Sequence, residues 1–505
     1  MKVKGDCMLR KEYLKNDAVS LSKMVKDGET TAIELVNLSF EQMKLANPLL
    51  NAVVHERQHE ALNEAEVINR GVFQGVPILM KNIGQTIMGE PITSGAELLK
   101  SYKAHGDSNF VKKFREAGFV FTGYTNTPEF ALKNITEPAL HGATRNPWHK
   151  NFSPGGSSGG AAAAVASGIV PVAGASDGGG SIRIPASFTS LFGLKPTRGR
   201  TPVGPGVGRE WQGAAINFVL SRSVRDSAAM LDALQVVQPE AAFQTPLFLG
   251  RYVNLMYEEL EPMHIGFSTT SPVGTPVSNE AKEAVYKLVS YLENLGHHVE
   301  EKDPDVDGKQ IMRNYYLMNS GEMATSLRQL ERGLGRDIRS DEVELESWML
   351  KEAGKSVSAM DFSDSLASWD TAASQMHDYH QTYDLFITPT TADSAPEIGE
   401  LTPTIADKAR MIEAMEKANA GEKQELIWDM FLPSLTYSPF TQLANLTGQP
   451  AMSLPIHITK AGLPLGVQVM AEKGREDLLL QLAKQVEDSP LWVGMKGNPY
   501  FAEEN

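Results

Sequence analysis

Cysteine is almost missing from this chain. One residue, Cys7, among 505 excludes an internal disulfide and fits a reducing compartment. Alone near the start, Cys7 reads as incidental. Positive charge is also short. There are 47 Lys and Arg against 62 Asp and Glu, a formal net charge of −15, with no long Lys/Arg block. Proteins that bind nucleic acid usually carry a basic face, so nucleic acid is not an expected partner. Strongly apolar runs are missing too. The uncharged stretches 151–176 and 430–459 are broken by Pro154 and Pro171, and by Pro433, Pro439, Pro450 and Pro455. A membrane span needs about 20 strongly apolar residues, so no membrane partner is expected. Residues 1–20 mix Lys, Asp, Glu and Arg without a continuous apolar segment, so no signal peptide is expected and the expected location is cytoplasmic. Internal repeats and low-complexity linkers are absent.

What is present reads as a large core of short strands alternating with helices. With 42% hydrophobic and 22% charged residues, the composition is that of an ordinary globular protein. Thr31 and Glu34 form a capping-box pattern opening a helix through Ile33, Val36, Phe40 and Met43, which Asn47-Pro48 should stop. Residues 76–80 form an apolar run expected to be a buried strand with Lys81 at its end. Residues 159–167 read as a small-residue helix, followed by a strand over 169–173. The alternation predicts an α/β layer with helices on both faces. We expect one domain over 1–505, with its core at about 65–235 and 375–490 and a helical cover at about 300–365 and 405–430.

Two Gly-Ser clusters stand out: Ser153-Pro154-Gly155-Gly156-Ser157-Ser158-Gly159-Gly160 and Asp177-Gly178-Gly179-Gly180-Ser181-Ile182-Arg183. Glycine lets backbone N–H groups approach a ligand closely, and serines among such donors suggest a hydroxyl nucleophile beside an anion-binding nest. A helix leading out from Gly159 and a strand leading back allow Ser157 and Ser181 to sit at one end of a sheet, where Lys81 can join them. A serine nucleophile needs a base, and lysine at its ordinary pKa of about 10.4 is protonated at neutral pH. Burial can lower that pKa by up to ~3–5 units, which makes a buried lysine a competent base.

These segments resemble the amidase signature family of serine hydrolases. So do Thr125-Asn126-Thr127-Pro128-Glu129-Phe130, Gly193-Leu194-Lys195-Pro196-Thr197, Asn445-Leu446-Thr447-Gly448-Gln449-Pro450 and Gly462-Leu463-Pro464-Leu465-Gly466-Val467-Gln468. The resemblance implies a central mixed sheet covered by helices and a Lys-Ser-Ser triad. Ser181 would be the acyl-forming nucleophile and Lys81 the base. Ser157, on a cis peptide bond, would relay the proton between them. It also implies an oxyanion hole from the N–H groups of Gly178, Gly179, Gly180 and Ser181, supported by Asp177, Arg183 and Ser158. No metal or organic cofactor is implied. The expected partner is a small-molecule amide, and the chain is expected to be a monomer or homodimer. Asn82, Gly178 and Tyr124 depart from the family pattern, which usually has an acid after the lysine, often a threonine after the loop aspartate, and often a lysine before Thr125. Gly142-Ala143-Thr144-Arg145-Asn146-Pro147-Trp148 and Thr388-Pro389-Thr390 resemble stand-alone amidases, including the hydrolases that open the cyclic dimer of 6-aminohexanoate. The alternative is a role like that of the glutaminase component of a tRNA-dependent amidotransferase, which channels ammonia to a partner. The acyl pocket is sought in 209–218, 311–330 and 428–437, whose ordinary role would be core and cover packing.

Three other motifs compete. His55-Glu56-Arg57-Gln58-His59 matches the H-E-x-x-H zinc pattern, which would need both histidines on one helical face and a third ligand. Gly155-Gly156-Ser157-Ser158-Gly159 matches G-x-S-x-G, with His377, His380 and His457 as possible partners, but lacks a strand just before the serine. Gly204-Pro205-Gly206-Val207-Gly208 would be a nucleotide loop except that Arg209 stands where the last glycine belongs.

Overall fold

The computed structural model describes residues 8–68 and 70–502, so Cys7 lies outside the described residues. Among those residues eleven strands form one sheet. They are β1 (Val53–Glu56), β2 (Pro77–Lys81), β3 (Val120–Thr125), β4 (Val172–Asp177), β5 (Phe192–Lys195) and β6 (Ile216–Ser221), then β7 (His264–Phe267), β8 (His298–Glu301), β9 (Leu385–Pro389), β10 (Ala451–Ile458) and β11 (Pro464–Ala471). Their order in space is β1-β3-β2-β4-β6-β5-β10-β11-β9-β7-β8. The sheet is mixed: β2 runs parallel to β3 and β4, and β7 to β8 and β9, whereas β4, β6, β5, β10, β11 and β9 alternate in direction.

Every residue of β2, β3, β6, β9 and β11 is buried. Successive strand side chains point to opposite faces, so burial of all of them means that both faces are covered. The helix Gly159–Ala166 packs on β2, β4 and β6, and the helix Arg183–Thr189 on β5, β10 and β11. Gly159–Ala166 is built of Gly, Ala and Val, all buried, which lets its backbone lie close to its neighbours.

The first long helix begins as expected. Thr31 accepts from Glu34 N, and the Glu34 carboxylate accepts from Thr31 N. It does not stop at Asn47-Pro48 but continues to Leu50. Pro48 sits in the last turn, where the lost N–H costs one bond, and Leu50 is fully buried. The turn ends at Asn51 in the left-handed region (φ 50), and Asn47 Oδ1 accepts from the N–H groups of both Ala52 and Val53, which steers the chain into β1.

A second layer lies over the strand ends. The helices Gly308–Leu334, Leu345–Gly354, Ile405–Lys417 and Ala420–Tyr437 share a hydrophobic cluster containing Met323, Leu327, Met349, Leu350, Met415 and Ile427. Phe130, Leu132 and Trp211, from loops at the sheet, pack against that cluster. The crevice between strand ends and helical cover is where the Gly-Ser segments lie. No helix among the described residues is long and apolar enough to cross a membrane.

Candidate active site

Lys81 is the last residue of β2, and Ser176 and Asp177 are the last two of the parallel neighbour β4. Parallel strands end on the same side, the usual place for ligands in such sheets. Ser157 precedes the helix that leads to β4, so the chain goes out and returns. Ser158 Oγ then bonds Ser176, donating to its carbonyl (3.2 Å) and accepting from its N–H (3.3 Å). Lys81 is fully buried, and its Nζ lies 2.7 Å from Ser157 Oγ and 2.9 Å from Ser176 Oγ. Burial lowers the Lys81 pKa to about 7, with the Asp177 charge opposing the shift. The Gly156–Ser157 peptide bond is cis.

Ser181 and Ser157 line one cavity of about 320 Å³, together with Ser176, Gly178 and Gly179. Ser181 Oγ makes no hydrogen bond among the described residues, and its backbone carbonyl accepts from Ser158 N at 3.3 Å.

The glycine loop is held from outside. Thr441 Oγ1 donates to Gly179 O (2.7 Å) and Tyr315 Oη to Gly178 O (2.8 Å). Gly180, at φ +123, leaves no room for a Cβ against the Thr441 side chain. Its N–H donates to Asp177 Oδ1 at 2.7 Å, so the expected oxyanion donor Gly180 is already committed and does not line the cavity. Gly178, Gly179 and Ser181 do line it.

Asp177 and Arg183 are fully buried and paired twice, Nε to Oδ2 at 3.0 Å and Nη2 to Oδ1 at 2.9 Å. The Asp177 carboxylate also accepts from Ile182 N and Asn445 Nδ2, while Arg183 reaches Asn445 Oδ1, Gln468 Oε1 and Thr441 O. The arginine and these donors hold the Asp177 carboxyl well below its usual range against the opposing effect of burial. The pair therefore ties the loop to the C-terminal part of the sheet.

All three segments sought for the acyl pocket contribute to the cavity wall: Glu210 and Trp211, Tyr316 and Met323, Phe431 and Leu435. Residues 130–134 line it as well, which the sequence reading missed. Tyr315, within the sought segment 311–330, lines it too. Ser176 and Thr441 were missed. Ser176 had a local signal, since it precedes Asp177 at a strand end; Thr441 comes from a distant segment and had none. The departures from the family pattern acquire partners. Asn82 exchanges hydrogen bonds with Thr93 (3.0 and 2.8 Å). Tyr124 Oη accepts from Ile87 N and donates to Gln85 O, and Gln85 Oε1 in turn accepts from Lys81 N at 2.8 Å.

The competing motifs separate. His55 lies on β1 beside Glu90 (2.8 Å), whereas His59 lies on the helix Gln58–Glu66 near Asn63. The two histidines thus do not share one helical face, as the zinc pattern needs, and no three His, Cys, Asp or Glu side chains among the described residues are grouped to hold a metal ion. His377 bonds Glu472, His380 the Tyr383 carbonyl, and His457 Glu280. None of the three lines the cavity with Ser157, which removes the G-x-S-x-G reading.

Residues 34–480 match the family model described as Amidase. The chain belongs to the amidase family. Membership makes it a hydrolase of amide C–N bonds. This amidase is 38% identical over 485 residues to a lipoamidase of Enterococcus faecalis, covering 95% of the chain but only 64% of that relative's length. It is 36% identical over 495 residues to a 6-aminohexanoate-cyclic-dimer hydrolase of Paenarthrobacter ureafaciens, covering 97% of both. Among solved structures, a 6-aminohexanoate cyclic dimer hydrolase superposes with a TM-score of 0.88 at 34% identity, covering 97% of this amidase and 99% of that chain.

Proposed function

We propose that this amidase cleaves a carboxamide through an ester on Ser181, with Ser157 as proton relay and Lys81 as base. The observation that carries the reading is the fully buried Lys81 amine, 2.7 Å from Ser157 Oγ and with its pKa lowered to about 7. In the first step Ser181 Oγ adds to the substrate carbonyl carbon, its proton passes to Ser157 Oγ, and the Ser157 proton passes to neutral Lys81. The developing oxyanion takes hydrogen bonds from the N–H groups of Gly178, Gly179 and Ser181. One such donor is worth roughly 3–4 kcal/mol in comparable sites. The C–N bond then breaks as the relay returns the proton to the leaving nitrogen. Water adds to the ester by the same route in reverse, releasing the acid and restoring the serine.

The substrate class follows from the cavity wall. Phe130, Leu132, Tyr316, Met323, Phe431 and Leu435 pack in one cluster and give the cavity an apolar side that suits an aliphatic chain. The relatives are named for lipoyl and 6-aminohexanoyl amides, which share an unbranched chain of that kind. We therefore assign linear or cyclic amides of medium-length aliphatic acyl groups. A panel of aliphatic, aryl and amino-acid amides tests the assignment, with intact-mass detection of the acyl-enzyme. Aliphatic acyl amides should show the highest kcat/KM, and Ser181→Ala and Lys81→Ala should each abolish most turnover. A Ser181→Ala enzyme with near-normal activity, or an acyl adduct on another residue, overturns the mechanism.

A further inference from the structure

Glu210 is the one carboxyl side chain on the cavity wall, which otherwise consists of apolar groups, hydroxyls, amides and glycine backbone apart from Lys133. It enters from the turn after β5, where Trp211 (φ 50) and Gln212 (φ 54) bend the chain back toward β6. Oε2 is held: it accepts from Asn217 Nδ2 at 2.7 Å, and Asn217 in turn accepts from Gln85 Nε2 at 3.2 Å. Asn217 pairs with Ser176 across the β4–β6 ladder, which fixes the amide that holds the carboxyl. Oε1 makes no hydrogen bond among the described residues and is not sealed off, and Glu210 lines this cavity and a smaller neighbouring one.

Among the described residues no cation is paired with this carboxyl: Arg198 and Arg209 line the neighbouring cavity with it, and Arg198 donates to the carbonyls of Gly213, Asn445 and Leu446. Trp211 Nε1 is used by Asn319, Gln212 Nε2 by Glu322, and the Tyr315 hydroxyl by Gly178. Lys133, the cation on the same wall, is engaged by Glu344 at 2.7 Å and Glu346 at 3.6 Å. Burial accordingly raises the Glu210 carboxyl to about 7, opposed only by the Asn217 hydrogen bond. A desolvated acid without an ion-pair partner is costly as an anion, and a ligand that brings the cation removes that cost.

We propose that Glu210 anchors a protonated amine of the substrate, so that the enzyme selects amides carrying an ammonium group several bonds from the scissile carbonyl. The proposal rests on the serine reading above and adds a specificity determinant to it. The ammonium could sit on the acyl chain or on the leaving amine, and both present the same N–H donors to Oε1.

Two matched pairs of substrates test it: hexanamide against 6-aminohexanamide, and an N-butyl amide against its N-(4-aminobutyl) analogue. A charge-assisted hydrogen bond of this kind predicts a preference of ~10–100-fold in kcat/KM for the amine-bearing member of one pair, expressed mainly in KM. The pair that shows it identifies the side of the substrate bound. In Glu210→Gln the ratio should fall to within about threefold. Wild-type inhibition by pentylammonium, compared with pentanol on a neutral substrate, gives a second reading that needs no variant; the ammonium should bind at least tenfold tighter. Equal handling of both members in both pairs, or equal inhibition, overturns the role of Glu210 and leaves the serine mechanism standing. Retained turnover in Ser181→Ala overturns that mechanism whatever the ratio.

Discussion

At the scale of single residues, the proposed mechanism rests on where one amine sits. An exposed Lys81 would be protonated at neutral pH and useless as a base. At the end of β2, sealed by burial, it holds a lone pair at pH values where ordinary lysine has none. The sign of the resulting pH dependence is fixed. Below about 7 Lys81 takes up a proton and the proposed relay has no acceptor; above it the neutral fraction grows to completion. The kcat/KM for a neutral amide should therefore rise with pH along a limb of apparent pKa near 7 and then level off. Two carboxyls on or beside the cavity wall, Glu129 and Glu210, are both pushed up to about 7 by burial. Measuring the profile in Glu210→Gln and Glu129→Gln separates them. If either variant loses the limb, that carboxyl and not Lys81 carries it.

At the scale of elements, the helical cover is fastened to the cavity wall through Glu129. Its carboxyl accepts from Glu344 N (2.8 Å) at the start of the helix Leu345–Gly354 and from Ser347 Oγ (2.5 Å). Nearby, Lys133 donates to Glu344, and Asn134 Nδ2 donates to Ser434 O on the helix Ala420–Tyr437. An acid at a helix N-terminus satisfies otherwise unpaired N–H groups and complements the helix dipole. Glu129→Ala leaves a buried N–H and a hydroxyl without their acceptor, which should cost ~1–3 kcal/mol. Thermal unfolding followed by calorimetry should show the loss, and Glu129→Gln should recover part of it. An unchanged melting temperature in Glu129→Ala would show that the cover is held by its hydrophobic cluster alone. Glu129 was legible in the sequence only as part of a motif; its partners lie some two hundred positions away, beyond any local pattern.

At the scale of the whole molecule, the sheet interleaves distant parts of the chain. β10 and β11 lie between β5 and β9, and Arg183 beside the glycine loop reaches Asn445 and Gln468. A chain cut after Tyr437 would lose both strands, expose the edges of β5 and β9, and leave the Asp177–Arg183 pair without those partners. Exposed edges invite aggregation, and loss of partners around a buried charge is strongly destabilising. The shortened protein should be insoluble or lack the near-ultraviolet circular dichroism of the full chain. If residues 1–437 fold and unfold cooperatively on their own, the chain is not one folding unit.

The sequence by itself determined the local events. The apolar run ending in Lys81, the small-residue helix between Ser157 and the next strand, and the capping box at Thr31 each follow from short-range sterics and hydrogen bonding. It also allowed the catalytic candidates to meet at one end of a sheet, because a helix out and a strand back bring the chain home, but it did not bring Lys81 to them. Only the tertiary structure decided what surrounds them: that Lys81 is dry, that Ser176 is its second neighbour, that Gly180 is engaged by Asp177, and that Glu210 stands on the cavity wall without an ion-pair partner. Those properties depend on contacts between residues far apart in the chain, and desolvation is a property of everything packed around a group, which no short stretch of sequence contains.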